Sequence, residues 1–101
     1  MMTVRERMTG AFEYRRSRVR MFYGEDVGGK IGEFLRTPID EVFTKERTDR
    51  VFDMMGRNLT AEYGGPLLLD CRMEDAFCAV IEDAMDNLVE ELCGVDVHTL
   101  P

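Results

Sequence analysis

The sequence predicts an all-α fold, a compact bundle of four to five helices with long first and last helices and short helices between them. Apolar side chains recur at helical spacing near both ends of the chain. Glycines and helix-capping residues separate the helical segments. Residues 66–69 give the one strand signal, which is too short to change the class. With 101 residues, 45% apolar and 33% charged, the chain fits a single helical domain over residues 1–101.

The first helix is predicted over residues 4–23. Thr3 and Glu6 form a capping box, in which each side chain satisfies a free backbone amide of the first turn. Arg15 falls in the middle of the apolar face, where an unpaired charge is costly, so it needs a carboxylate partner or an edge position. Six residues form that face: Val4, Met8, Ala11, Phe12, Val19 and Phe22.

Short helices are predicted in the middle of the chain. Four glycines within residues 24–32 interrupt the first helix. Thr37 is expected as the N-cap of the next helix, with Pro38 as its first residue. The apolar faces on the two sides of residues 44–48 point in different directions at about 100° per residue. This rotation predicts a break in that segment and two helices instead of one.

The last helix is predicted over residues 71–93, with Asp70 as its N-cap, and is expected to pack near-antiparallel to the first. Its apolar residues cover about half of the helical wheel, so it is expected to be the central element of the bundle. Gly94 with Val95 predicts a Schellman end, and residues 95–101 are expected to be a loosely ordered tail. The apolar residues are Met73, Phe77, Val80, Ile81, Ala84, Leu88 and Leu92.

Charge is sorted along the chain. Residues 1–22 hold six arginines and two glutamates, whereas residues 70–101 hold nine acidic residues and one arginine. A basic first helix and an acidic last helix are natural partners, within one chain or between two copies. Because a small domain leaves part of so wide an apolar arc uncovered, the sequence also favours a homodimer that pairs these helices across a twofold axis.

The leading functional hypothesis is a non-enzymatic protein-binding module. Its acidic face is expected to contact a basic surface of a protein partner, as a small inhibitor or adaptor does, including the nucleic-acid mimics that phages and mobile elements direct against nucleic-acid-handling machinery. The alternatives for this face are a solvated surface or a docking surface for the arginines of the first helix. The face comprises Glu82, Asp83, Asp86 and Glu90.

The alternative function is a nucleic-acid-binding helical bundle. Arg16, Arg18 and Arg20 form a collar around the first helix. The interleaved aromatic residues offer stacking surfaces for bases: Phe12, Tyr14, Phe22 and Tyr23. The net charge of −7 argues against this function, because nucleic-acid binding depends on cationic surface. Ion pairing of the arginines within the protein is the simpler interpretation.

Catalytic and cofactor signatures are weak, so no enzyme activity, metal or cofactor is expected. Residues 24–30 match the first seven positions of the phosphate-binding P-loop, but Ile31 stands where a hydroxyl must ligate Mg²⁺. The few cysteines, odd in number, predict a cytoplasmic protein. The longest apolar run, residues 77–81, is far short of a membrane span. Four candidate metal ligands lack the tight spacing of zinc modules: Cys71, Cys78, Cys93 and His98.

Overall fold

The computed structural model describes residues 2–55, 68–69 and 74–100. Within them, five α-helices, one 3₁₀ helix and two short strands confirm the all-α class, and the first and last helices, of 20 residues each, are the longest. The elements in chain order are β1 (Met2–Thr3), α1 (Val4–Tyr23), α2 (Gly29–Arg36), α3 (Ile39–Val42), α4 (Lys45–Met55), β2 (Leu68–Leu69), α5 (Glu74–Cys93) and the 3₁₀ helix (Val97–Thr99).

The two strands hold together the starts of the two long helices. β1 pairs with β2 in antiparallel fashion, with Met2 opposite Leu69 and Thr3 opposite Leu68. The strand signal in residues 66–69 therefore corresponds in part to β2. The predicted N-cap Asp70 and the side chain of Thr3 lie outside the described part of the chain.

The core forms where α5 contacts α1, α2, α4 and the 3₁₀ helix, which confirms α5 as the central element. Phe12 is fully buried and joins three elements, because its ring lies edge-on to Phe34 at 5.5 Å and to Phe43 at 5.6 Å between centroids. From α5, the buried side chains are Ile81, Ala84, Met85, Leu88, Val89 and Cys93.

The direction of α5 relative to α1 differs from the prediction. Contacts advance in the same sense along both helices: Arg7 pairs with Glu82, Arg15 pairs with Asp86, and Arg18 contacts Leu100, beyond the end of α5. The helices therefore run in the same general direction, not antiparallel. Short loops favour antiparallel neighbours, but here about fifty residues connect the two helices, and β1–β2 holds their starts together.

The predicted apolar face of α1 is confirmed at five of its six positions. Val4, Met8, Ala11, Phe12 and Val19 are buried. The prediction is wrong at the sixth position, because Phe22 is 52% exposed. The helical register of the face is correct, but the last three residues of α1 extend past the core and are all at least 39% exposed.

The start predicted for the third helix is wrong. The Thr37 hydroxyl donates to the Glu33 carbonyl at 2.6 Å, and the Thr37 amide donates to the same carbonyl at 2.9 Å. Thr37 thus closes α2, because a threonine hydroxyl can bond back to the carbonyl four residues earlier. Pro38 is the N-cap of α3 instead of its first residue.

The break predicted within residues 44–48 is confirmed, because α3 ends at Val42 and α4 begins at Lys45. Thr44 caps α4: its Oγ1 accepts the Arg47 amide at 3.3 Å, and its carbonyl accepts the Thr48 amide at 2.9 Å. A threonine at this position satisfies a backbone amide that has no partner within the helix. The chain therefore stops and restarts its helix in two residues.

Both long helices end at a glycine in the left-handed conformation. Gly24 has φ 85° and Gly94 has φ 73°. Each amide donates at 2.8 Å to the carbonyl four residues earlier, of Arg20 and of Glu90 respectively. Gly94 therefore ends α5 by the αL motif with its single bond, in place of the predicted Schellman motif.

The segment after Gly94 packs against the bundle, where the sequence predicts a loosely ordered tail. Val95 and Val97 are buried, and the Asp96 carboxylate accepts the His98 amide at 3.0 Å, which caps the 3₁₀ helix. The Thr99 hydroxyl donates to the Asp96 carbonyl at 2.7 Å. Helical periodicity does not detect such a segment, because two valines two residues apart bury one side of a non-helical chain.

Candidate functional site

Arg15 lies at the centre of the α1–α5 interface, and its side chain is only 7% exposed. Its Nε donates to Asp86 Oδ1 at 2.6 Å. Its Nη2 donates to the Glu82 carboxylate and, at 3.3 Å, to the Glu82 carbonyl, while Nη1 donates to the Ala11 carbonyl at 2.9 Å. The expectation that this arginine needs a carboxylate partner is confirmed, and two carboxylates supply it.

The two carboxylates extend this contact into a chain of alternating charge. Glu82 also accepts Arg7 Nη2 at 2.9 Å, and Asp86 also contacts His98 Nε2 at 2.8 Å through its second oxygen. The five side chains Arg7, Glu82, Arg15, Asp86 and His98 are called the ionic chain below. It connects α1, α5 and the 3₁₀ helix, so the sorted charges of the sequence pair within one chain.

Protonation within the ionic chain follows from these contacts. Burial opposes the charge of Arg15, but hydrogen bonds to Asp86 and Glu82 outweigh it and raise the pKa of Arg15. Burial also opposes the charge of Asp86, and the hydrogen bonds from Arg15 and His98 outweigh it and lower the pKa of Asp86. The hydrogen bond to Asp86 raises the pKa of the exposed His98 imidazole.

The four predicted acidic residues separate into two sets. Glu82 and Asp86 belong to the ionic chain and face α1. Asp83 and Glu90 are exposed on another side of α5, together with Glu91. The carboxylates of Asp83, Glu90 and Glu91, called the outer acidic face below, make no ion pair or hydrogen bond with another described residue. A helical wheel places the four predicted acids within about 100° of one another, and only the position of α1 separates them.

The three arginines of the predicted nucleic-acid surface donate to backbone carbonyls. Arg16 is buried, and its Nη1 donates to the Thr37 carbonyl at 2.6 Å, while its Nη2 pairs with the Glu13 carboxylate. Arg20 Nη2 donates to the Leu35 carbonyl at 3.4 Å, and Arg18 Nη2 donates to the Leu100 carbonyl at 3.3 Å. These cations lie where helices end, a position that the helix dipole favours.

Gly24–Lys30, the segment that resembles a P-loop, connects two helices. A P-loop follows a strand, so this context does not support the phosphate-binding interpretation. Glu25 and Asp26 are exposed in the turn and add negative charge. Gly32 has a packing role instead, because an added Cβ would overlap the Val27 carbonyl oxygen.

The candidate metal ligands do not come together in the described part of the chain. Within it, no three His, Cys, Asp or Glu side chains are placed to hold a metal ion. Cys93 is buried and free, and its Sγ donates to the Val89 carbonyl at 3.1 Å. Burial raises the pKa of the Cys93 thiol, which makes it less reactive. The side chains of Cys71 and Cys78 lie outside the described residues.

A recess of about 180 Å³ opens between α4 and α5, next to the outer acidic face. Asn87 and Glu91 on α5, and Arg47 and Arg50 on α4, form its polar rim. Sequence reasoning missed the recess, because it exists only where two helices meet. Its apolar floor consists of Met8, Phe43, Val51, Ala84, Met85 and Leu88.

Fold and site together define a small all-α protein organised around an ionic chain with the buried Arg15 at its centre. Exposed acids that pair with no other described residue lie beside an apolar recess. None of the described helices combines the length and the apolar character that a membrane span requires. Comparison with known proteins finds no matching family model, no similar curated protein and no similar solved structure.

Proposed function

We propose that this protein is a non-enzymatic binding module whose outer acidic face contacts a basic surface of a protein partner. The observation that carries the proposal is the division of the acids on α5. Glu82 and Asp86 are neutralised by α1, whereas Asp83, Glu90 and Glu91 are exposed and form no ion pair with another described residue. Exposed charges without partners keep their full attraction for an opposite charge that arrives from outside.

The neighbouring recess adds an apolar binding surface, which charge alone does not supply. Charge complementarity sets association rate and specificity, while a buried apolar anchor supplies most of the affinity of an interface. Glu91 lies on the rim of the recess and on the outer acidic face, so both are within reach of one partner. A cavity of about 150 Å³ holds a benzene ring. A recess of about 180 Å³ therefore suits one large apolar side chain flanked by lysines or arginines.

A module of this kind acts as an inhibitor when the basic surface it covers is the partner's own site for an anion, and as an adaptor when it is not. The net charge of −7 supports either mode, because it favours rapid association with cationic proteins. The arginines of α1 support no competing nucleic-acid surface of comparable strength, since Arg16, Arg18 and Arg20 are engaged with backbone carbonyls.

The test is capture from the host's lysate, with nuclease, by the tagged protein and two charge-matched variants. The first variant carries Asp83→Lys, Glu90→Lys and Glu91→Lys. The control carries Glu25→Lys, Asp26→Lys and Glu41→Lys, three exposed acids away from α5 that give the same net charge. We expect the wild type and the control to retain one basic partner, and the first variant to lose it.

Two results would contradict the proposal. One is retention of the partner by all three proteins, which would remove the outer acidic face from the interface. The other is recovery of nucleic acid alone, lost on nuclease treatment, which would move the function to the arginines of α1. Circular dichroism of each variant confirms that the comparison is made between folded proteins.

A further inference from the structure

The outward side of α1 carries a strip without any charge, although α1 holds six arginines. Gly10, Tyr14, Ser17 and Met21 follow one another at intervals of four, three and four residues, so they line up along one side of the helix. All four are exposed, Tyr14 by 63% and Met21 by 86%. These four residues are called the outward strip below.

Several arginine side chains of α1 are engaged in contacts within the monomer. Arg7 and Arg15 pair with acids of α5, and Arg16 is buried against Glu13 and Thr37. These ion pairs reduce the repulsion that one basic helix exerts on a second. An uncharged exposed strip with two large side chains is a surface for protein contact, not for nucleic acid.

Among the described residues, no contact explains why position 10 is a glycine. Its φ is not in the left-handed region, and a Cβ added to it would meet nothing within 4 Å. A glycine inside an exposed helix is less favourable than alanine. The missing side chain does, however, allow another backbone or a large side chain to approach closely.

Small and large residues alternate along the outward strip, so each small residue has a large one at the same distance on the other side of the centre, between positions 15 and 16. We propose that α1 pairs with α1 of a second copy in an antiparallel, twofold-symmetric contact at this centre. A twofold axis there places Gly10 opposite the partner's Met21 and Tyr14 opposite the partner's Ser17. Each small residue then receives a large one, which is the self-complementarity that an isologous interface requires.

The exposed area fits a small interface. The exposed fractions of Tyr14 and Met21 leave about 300 Å² of surface, at about 200 Å² for each large side chain. Apolar surface makes up a little over half of a typical interface, so each copy would bury about 500 Å². The two copies together would bury about 1,000 Å², which is the size of a weak, transient complex.

This homodimer differs from the one that the sequence suggests. Pairing of α1 with α5 across a twofold axis is unnecessary, because their charges pair within one chain. The outward strip shares no residue with the outer acidic face. A dimer formed through α1 therefore presents two acidic faces and raises the apparent affinity for a partner with repeated basic sites.

The test measures the mass of the purified protein in solution, by light scattering and sedimentation over a range of concentrations under reducing conditions. We expect a dimer for the wild type. Gly10→Leu should weaken the dimer by about tenfold or more, because the leucine occupies the space of the partner's Met21. Thermal stability under dilute conditions should not fall, since that leucine meets open space in the monomer. Lys30→Leu, an exposed change on α2, should leave the dimer unaltered.

A second substitution tests the register. Adding Met21→Ala to Gly10→Leu reopens the space opposite residue 10 and should restore dimer formation, whereas adding Phe22→Ala should not. A wild-type protein that stays monomeric at its highest soluble concentration would overturn the proposal. So would a Gly10→Leu protein that dimerises as strongly as the wild type. Neither result bears on the outer acidic face, whose test is partner capture.

Discussion

The Nε atom of Arg15 donates to Oδ1 of Asp86 at 2.6 Å, across the α1–α5 interface and 71 residues away along the chain. This bond joins the basic and the acidic ends of the sequence. It also decides which acids on α5 are structural, since Glu82 and Asp86 turn toward it and Asp83 and Glu90 do not. The stability of the fold and the availability of its charged surface thus depend on the same contact.

Replacement of Arg15 by alanine should destabilise the protein far more than replacement of Arg18. Removing Arg15 leaves Glu82 and Asp86 without their shared cation, and breaking a buried ion pair costs about 3–5 kcal/mol. The lower end applies, because both carboxylates are partly exposed. Arg18→Ala loses one 3.3 Å contact with a carbonyl and should cost about 1 kcal/mol. Thermal unfolding of the two variants checks this, and equal melting temperatures would refute the central position of Arg15.

Neutralising Asp86 should destabilise the protein, whereas neutralising Asp83 on the same helix should not. Asp86→Asn removes a charge that bonds both Arg15 and His98, so it should lower the free energy of unfolding by about 1–3 kcal/mol. Asp83→Asn changes an exposed carboxylate and should stay within about 0.5 kcal/mol of wild type. Urea unfolding measures both. A larger loss for Asp83→Asn would mean that the two sets of acids are assigned the wrong way round.

The contact between His98 and Asp86 should stabilise the protein at low pH and not at high pH. The folded-state pKa of His98 is raised above its ordinary value of 6.5. Its contribution is therefore complete below pH 6.5 and is lost as the pH rises through the folded-state pKa. We expect the difference in unfolding midpoint between the wild type and His98→Gln to shrink across that window. A difference that grows with pH would contradict the ion pair.

Asp86 should give the opposite dependence in acid. Its folded-state pKa lies below the ordinary value of 3.8. The stability that Asp86 contributes is present above pH 3.8 and is lost as the pH falls through the folded-state pKa. The deficit of Asp86→Asn should therefore shrink by the His98 contribution as the pH rises through the folded-state pKa of His98, and disappear in stronger acid. Unfolding measured down to acidic pH checks this, and an unchanged deficit there would point to lost packing instead of lost charge.

Two helical glycines should respond oppositely to alanine. Gly32→Ala places a Cβ against the Val27 carbonyl oxygen, so the turn before α2 must shift and the protein should lose about 1–3 kcal/mol. Gly10→Ala meets open space and should gain up to about 1 kcal/mol at concentrations where the protein is monomeric. Thermal unfolding distinguishes them. A gain for Gly32→Ala would show that the turn yields without cost.

The sequence predicts the elements better than their arrangement. The limits of α1, the break at Thr44 and the need of Arg15 for carboxylates follow from spacing and from the cost of a buried charge. The relative direction of α1 and α5 does not follow, because periodicity identifies a helix face but not the direction of the helix that covers it. Thr37 shows a second limit, since its hydroxyl suits either the start of one helix or the end of another.

The candidate site was predictable in composition but not in geometry. The acidic residues of α5 stand out in the sequence, yet only the position of α1 separates Glu82 and Asp86 from Asp83 and Glu90. The recess beside them depends on contact between α4 and α5, which no local pattern reports. Val95 and Val97 pack against the core without helical spacing, so the tail also escapes a search for periodicity.

The division of the acids on α5 is tested most directly by two double neutralisations, measured for both stability and partner capture. Glu82→Gln with Asp86→Asn should lower the melting temperature and, at temperatures where the protein remains folded, retain the basic partner. Asp83→Asn with Glu90→Gln should keep the melting temperature and lose the partner. A loss of both properties in one variant, or the reverse assignment, would contradict the account.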